Sequence, residues 1–301
     1  MTIGLFLNEA VSKLKNSSIT TARLDAEVIA AGILGVDRSW LQAHSNDELP
    51  SEQETELTEK IARRTKNEPV AYILGYKEFY GRNFVVNKDV LVPRPESETM
   101  LELLFQQIED RRLEIGDNKL QIVDVGTGSG NLIISAALEL HSILSLKSSI
   151  SFLGLDISKP ALKIAEKNAK KLGANIDFKE FDLTKDELSS ILPPADGPQS
   201  SILLCNLPYV PDNYPINEPA KYEPKIALFS GDDGLDLYRE LFKLLSQESR
   251  VKSQHTTQNN LIITESLLEQ HGALQAIAVS AGFKLIQSKD LIQVFSRPST
   301  L

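Results

Sequence analysis

From Leu120 onward the chain alternates between short apolar segments and helix-patterned ones, and this rhythm constrains the fold more than any other feature. QIVDV, ISFLGLD, IDFKEFD, SILLCN and LIITES have the length and composition of strands. Helical patterns lie between and after them, at 130–142, 159–172, 235–245 and 267–281. Such alternation predicts an α/β fold, a mostly parallel sheet with helices on both faces. The last segments, FKLIQSK and LIQVFSR, predict a hairpin that closes one edge. LPPADGPQSS (192–201) and SQESRVKSQHTTQNN (246–260) read as loops.

The first part of the chain has a different period. Ile3, Phe6, Leu7, Ala10, Val11 and Leu14 fall on one helical face. Thr20 or Thr21 is placed to cap a second helix that stops near Gly32–Gly35. Ser51 with Glu54 has the capping-box pattern, and Pro69 opens a short helix that Gly75 ends. Residues 1–78 therefore predict a small helical domain. FYGRNFVVNKDVLV (79–92) switches to strand chemistry, with a turn expected at Asn87–Lys88–Asp89. A β-hairpin over 79–92 would link the helical domain to an α/β domain over 93–301, which opens with a helix from Glu96 to Ile115.

Composition excludes several classes. Cys205 is the only cysteine, so no intrachain disulfide can form, and with four scattered histidines a zinc cluster is not expected. The net charge of -9 argues against holding nucleic acid by bulk electrostatics. The helical segment, with 12 acids and 9 bases over 1–78, is no basic arm. No apolar run approaches the ~18–20 residues that span a bilayer. The start, MTIGLFLNEAVSKLKN, has no basic leader, and the expected location is cytoplasmic.

The most informative local motif is QIVDVGTGSGNLIISAALEL. An apolar strand runs into Gly126, Thr127, Gly128, Ser129 and Gly130, and an apolar helix follows. Glycines at this bend allow a tight turn and let backbone N–H groups approach a ligand at the helix N-terminus. The spacing is neither the dinucleotide fingerprint nor a P-loop. Asp156 ends the next strand, 26 residues beyond Gly130. Its carboxylate can accept both hydroxyl protons of a ribose, or it can cap the helix that begins at Ser158. Asp182 ends the third strand where an adenine ring would lie, with Leu183 as an apolar face; a plain strand-end turn fits these two as well. A nucleoside ligand that needs no phosphate clamp suits S-adenosylmethionine.

The fourth strand ends in SILLCNLPYVP, and here a resemblance enters. Asn206–Leu207–Pro208–Tyr209 is similar to the Asn-Pro-Pro-Tyr motif of methyltransferases that modify planar amino or amide nitrogens. EPVAYILGYKEFYGRNFVVNKDVLVPRPESE resembles the hairpin signature of the peptide chain release factor glutamine methyltransferases. EPAKYEPKIALFSGDDGLDLYRELF resembles the segment after their catalytic motif. The likeness runs from about Arg63 to Asp290, and the N-terminal helices match the family's small lead domain. It implies a Rossmann-like class I methyltransferase sheet, a substrate-recognition role for the helical domain, and S-adenosylmethionine as cofactor. The implied substrate is the glutamine of the Gly-Gly-Gln motif in class 1 release factors. By position in the motif, the Asn206 side-chain oxygen would hold the amide, the Leu207 carbonyl would take its other proton, and Tyr209 would pack on its plane. The residue types suit the task. An amide nitrogen is a poor nucleophile, and two fixed acceptors orient it and counter the charge it develops. Pro208 stiffens the turn that presents the carbonyl.

The sequence departs from the family pattern in three places. Leu207 stands where the family has proline, Ser97 replaces a threonine in PRPESE, and Glu265 lies in TESLLEQHG where Glu-Ile-Gly is more usual. Asn-Leu-Pro-Tyr is also similar to the motif of ribosomal-RNA adenine dimethyltransferases, so an adenine-N6 methyltransferase on RNA or DNA is the alternative. A silent module that keeps only the cofactor fold is a third reading. No direct nucleic-acid or membrane partner is expected. Cys205 reads as a core residue and Trp40 as a helix-packing one, while Arg94 fits either the cofactor pocket or a pair with an acid such as Glu98.

Overall fold

The computed structural model describes residues 1–110, 120–143, 150–187, 200–251 and 259–297. The chain divides into two compact units. One comprises Met1–Lys77, Val86–Lys88 and Ile216–Glu223; the other comprises Glu78–Val85, Asp89–Pro215 and Pro224–Leu301.

The first unit carries α1 (Ile3–Asn16), α2 (Ala22–Leu34), α3 (Arg38–Ala43), α4 (Ser51–Arg64) and α5 (Val70–Leu74). The helical spacing of α1 buries Ile3, Phe6, Leu7, Ala10 and Leu14 against α2 and α4. Thr21 sits at the start of α2, yet its hydroxyl donates to Asp25 Oδ2 at 2.9 Å and leaves the backbone uncapped. The expected capping box at Ser51 does not form. Pro50 takes the cap position, because its locked φ suits the residue just before the helix, and Ser51 becomes the first helical residue. The short α3 has no strong sequence period, and Asp37 starts it by accepting the Trp40 N–H at 2.7 Å. Trp40, read as a helix-packing residue, is 36% exposed and stacks on His44 at the end of its own helix, with ring centroids 3.9 Å apart. Arg64 and Asp25, both buried, pair at 2.7 Å.

The hairpin lies earlier than the sequence suggests. Its strands are β1 (Tyr76–Phe79) and β2 (Arg82–Val85), and the turn is Tyr80–Gly81. Both turn residues have positive φ, 49° and 73°, the backbone twist that matches paired strands. Glu78 and Glu98 carboxylates accept the Gly81 and Tyr80 N–H groups at 2.7 and 2.9 Å, which pays for a tyrosine in this conformation.

The α/β unit is a seven-stranded sheet: β3 (Leu120–Val125), β4 (Ile150–Asp156), β5 (Asp177–Glu180), β6 (Ser200–Cys205), β7 (Asn259–Glu265), β8 (Lys284–Lys289) and β9 (Ile292–Ser296). The order is β5-β4-β3-β6-β7-β9-β8. The first five strands run parallel, and the β8–β9 hairpin adds the antiparallel edge. Helices α6 (Glu98–Asp110), α7 (Asn131–Ile143), α8 (Lys159–Leu172), α9 (Asp236–Val251) and α10 (His271–Ser280) belong to this unit. Period-two alternation in the strands feeds two cores, one on each face. Ile122, Leu204 and Ile263 point into one; Val123, Leu203 and Ile262 point into the other. The helix after Glu96 is broken into a 3-10 turn, Pro95–Ser97, and α6; residues 111–115 lie outside the described residues. Helix α9 runs on to Val251 instead of ending at 245, since Ser246–Val251 has good helix formers and no breaker. Of the two expected loops, 192–199 and 252–258 lie outside the described residues, while β6 and β7 take up their ends. No helix among the described residues is long and apolar enough to cross a membrane.

Candidate active site

Strand order reverses between β3 and β6, the place where open parallel sheets bind ligands beyond their carboxyl ends. Both motifs singled out in the sequence emerge there. β3 ends in the glycine loop, and its neighbour β6 ends in Asn206–Tyr209.

Gly126, Gly128 and Gly130 all adopt positive φ, at 79°, 54° and 78°, which explains their spacing. A Cβ on Gly130 would stand 2.8 Å from Ile134 Cδ1 and 3.2 Å from Ala165 Cβ, so the close approach of α8 also demands glycine. The N–H groups of Gly126 and Thr127 both donate to the Leu155 carbonyl at 2.8 Å, tying the loop to the end of β4. Ser129 donates its hydroxyl to Asn131 Oδ1, and its carbonyl accepts from the buried Asn168 at 2.9 Å. Asn168 also grips Val85 N and O in β2, so one side chain joins the hairpin to the glycine loop.

Asp156 lies at the end of β4. One carboxylate oxygen accepts from Gly128 N–H and the other from Ser158 N–H, each at 2.8 Å. The cap of α8 itself is the Ser158 hydroxyl, which accepts from Ala161 N–H, so Asp156 is not the helix cap. Burial raises its pKa, and the Ser158, Gly128 and Ile157 N–H groups oppose that. Asp182 is engaged in its own turn, accepting from Thr184 N–H and hydroxyl and from Lys185, which holds its pKa near 2. Leu183 is buried among Val125, Leu155 and Phe181.

Asn206 heads the second motif. Its Nδ2 donates to Ser97 Oγ at 2.9 Å and to Glu265 Oε2 at 3.0 Å. The Tyr209 hydroxyl donates to Glu265 Oε1 at 3.0 Å. Among the described residues none donates to Asn206 Oδ1 or to the Leu207 carbonyl. The Leu207 side chain is buried beside Gly126, and Pro208 is half-buried in the turn between Leu207 and Tyr209. The Tyr209 carbonyl accepts from Gln270 Nε2 at 2.7 Å, and Gly234 packs so tightly that a Cβ there would meet that oxygen at 2.1 Å. Tyr238, fully buried in α9, places its hydroxyl 2.8 Å from the Cys205 carbonyl and 2.6 Å from the Glu265 carbonyl, joining the ends of β6 and β7.

Sequence reasoning missed Ser97, Asp124, Asn168, Tyr238 and Gln270, and left Glu265 without a role. Their contacts to Cys205, Asn206, Tyr209, Glu265 or the glycine loop span tens of positions, beyond any local spacing. Asp124 is the exception, since it sits inside the glycine-loop motif. It is 1% exposed; its Oδ2 accepts from the Thr127 hydroxyl at 2.7 Å, and its Oδ1 is buried without a hydrogen-bond partner among the described residues. Burial pushes its pKa up to about 7.

Residues 6–75 match the PrmC N-terminal domain family, and residues 116–213 match a methyltransferase domain family. A release factor glutamine methyltransferase of Bacillus anthracis is 34% identical, over 73% of this chain and 73% of the relative. The chain belongs to the release factor glutamine methyltransferase family. The enzyme of that name in Bacillus subtilis strain 168 is 36% identical over 72% of each chain, and that of Coxiella burnetii is 34% identical over 90% of this chain and 88% of its own. The methyltransferase match spans β3 to β6 and takes in both the glycine loop and Asn206–Tyr209.

Proposed function

We propose that this chain methylates the side-chain amide nitrogen of the glutamine in the Gly-Gly-Gln motif of class 1 peptide chain release factors. The observation that carries the reading is the pair of acceptors at the end of β6, Asn206 Oδ1 and the Leu207 carbonyl, neither of which has a donor among the described residues. A primary amide has two N–H bonds, and two acceptors on one short turn match them.

The β3 and β4 ends fit a cationic nucleoside. Three positive-φ glycines keep side chains out of the way, and Asp124 Oδ1 is a buried acceptor with no partner of its own among the described residues. The loop Gly126–Gly130 contains no lysine or arginine for a phosphate. Gly126, Thr127, Gly128, Ser129 and Gly130 would hold S-adenosylmethionine, with Asp156 on the ribose, Asp182 and Leu183 at the adenine end, and Asn206 beside the methyl group. When bound, the cofactor supplies an electrophilic methyl group.

Asn206 and Leu207 would accept the amide protons and so orient the nitrogen toward the bound cofactor. Their oxygens also offset the positive charge that grows on nitrogen. Pro208 stiffens the carbonyl's turn, and Tyr209 covers the amide plane. Residues 1–78 recognise the release factor, which places the enzyme in the cytoplasm, and no direct nucleic-acid contact is needed.

The test is incubation with labelled S-adenosylmethionine, a release factor, its Gln→Ala variant, RNA and DNA, followed by mass mapping. Methyl on the Gly-Gly-Gln glutamine, and none on the Gln→Ala variant, supports the reading. Methyl on adenine with none on the release factor overturns it in favour of an adenine-N6 enzyme.

A further inference from the structure

We propose that Glu265 is a positioning residue: it holds the Asn206 amide with its oxygen outward, toward the acceptor nitrogen. This rests on the role given to Asn206 above. The two ends of an asparagine amide have nearly the same shape, so sterics do not choose between them; the donors and acceptors around them do. An ionised carboxylate can only accept. With Glu265 Oε2 at 3.0 Å, the end of Asn206 that faces it must be Nδ2. The other Nδ2 proton goes to Ser97 Oγ at 2.9 Å. Both N–H bonds are thereby spent inward, and Oδ1 is the only polar atom left to face a substrate. A reversed amide would set Oδ1 against the carboxylate and point N–H donors at the amide proton that Asn206 has to accept.

Glu265 is itself held so that it cannot turn away. It is 1% exposed, and its Oε1 accepts from the Tyr209 hydroxyl at 3.0 Å while its Oε2 accepts from Asn206. Its backbone is pinned in β7 against Ile292 of β9 and by the Tyr238 hydroxyl from α9. Glu265 thus grips the motif at both ends, Asn206 and Tyr209, which gives TESLLEQ a function despite its departure from the family pattern.

The consequence is a dependence on protonation. A protonated Glu265 could donate to Asn206 Oδ1, and the amide would be free to reverse. Burial raises the Glu265 pKa, Glu96 adds to the rise, and Ser97, Tyr209 and Arg94 oppose it. The ionised form is therefore lost at a higher pH than for an ordinary glutamate. Turnover should fall as pH falls through that value.

Two variants test this, Glu265→Ala and Glu265→Gln, with protein labelled with nitrogen-15 at asparagine. The Asn206 side-chain signals are assigned by their loss in Asn206→Ala. Glu265→Ala should cut kcat by about 100-fold, with S-adenosylmethionine Kd changed by less than about threefold. Glu265→Gln, which keeps a neutral acceptor of the same shape, should recover part of kcat and lose the acid limb of its pH profile. In the wild type the Asn206 amide signals should titrate together with that limb, and in Glu265→Gln they should not. A folded Glu265→Ala enzyme with wild-type kcat overturns the inference. So does a Glu265→Gln enzyme that keeps both the acid limb and the titration. Should Glu265→Ala fail to fold, the isosteric Glu265→Gln decides alone. Failure of the proposed substrate would show instead in the wild type, as absence of methylglutamine, while the Asn206 titration would still report on Glu265.

Discussion

Leu207 Cδ2 lies 3.4 Å from the point a Cβ on Gly126 would occupy, so the leucine side chain rests directly on the first glycine of the loop. It is 4% exposed and packs with Val125 and Tyr238. The leucine that replaces the family proline is thus a core residue that braces one motif against the other. Leu207→Ala is predicted to lower stability by about 2–5 kcal/mol, the range for truncating a buried leucine. Denaturant unfolding checks this, and a loss well under 1 kcal/mol would show the side chain braces nothing.

Asp156 holds the glycine loop through Gly128 N–H, and the proposed function gives it the ribose. Asp156→Ala is predicted to weaken S-adenosylmethionine binding by about 1.5–3 kcal/mol, the range for hydrogen bonds to a charged group. Calorimetry on a folded variant with unchanged affinity would remove Asp156 from the ribose.

Asn206→Ala should reduce turnover by about 100-fold or more, as expected for loss of one preorganised polar contact in a transition state. Cofactor affinity should fall far less, because the glycine loop and Asp156 remain. Steady-state kinetics and a binding isotherm separate the two effects; near-normal turnover would exclude the proposed role.

Asp124 makes a pH prediction. Its folded-state pKa is about 7 against an ordinary 3.8, so between those values the folded chain holds a proton that the unfolded chain has lost. Its contribution to stability is full below the lower value and declines as pH rises through the window to the upper one. Asp124→Asn should flatten that decline. Unfolding free energies at about pH 5 and about pH 8 test it, and the same slope in both proteins would contradict it.

A release factor acceptor also predicts a shallow salt dependence. An enzyme that contacts 6–10 phosphates would lose about 10³–10⁵ in affinity between about 50 and 200 mM salt. The excess of acids over bases in this chain leads us to expect far less for the release factor complex. A phosphate-like slope, measured by binding titration, would contradict a protein acceptor.

The amino-acid sequence alone shows the strand–helix rhythm, the helical face of α1, the glycine loop and the motif at the end of β6. Each is local: a period of two or of about 3.6, a backbone turn only glycine tolerates, a few consecutive residues at a strand end. Where local signals competed it misled. Asn87–Lys88–Asp89 does turn, but it is not the hairpin's turn: the strands pair across Tyr80–Gly81, where carboxylates from Glu78 and Glu98 hold the turn's N–H groups. Ser51 looked like a cap beside a proline that took its place. The surroundings of Asn206 come from long-range packing. Ser97 lies 109 positions before it and Glu265 59 positions after it, and the order of the sheet brings β6 and β7 together so that their ends meet. A hydrogen bond between side chains so far apart leaves no period to read, because its geometry is set by packing.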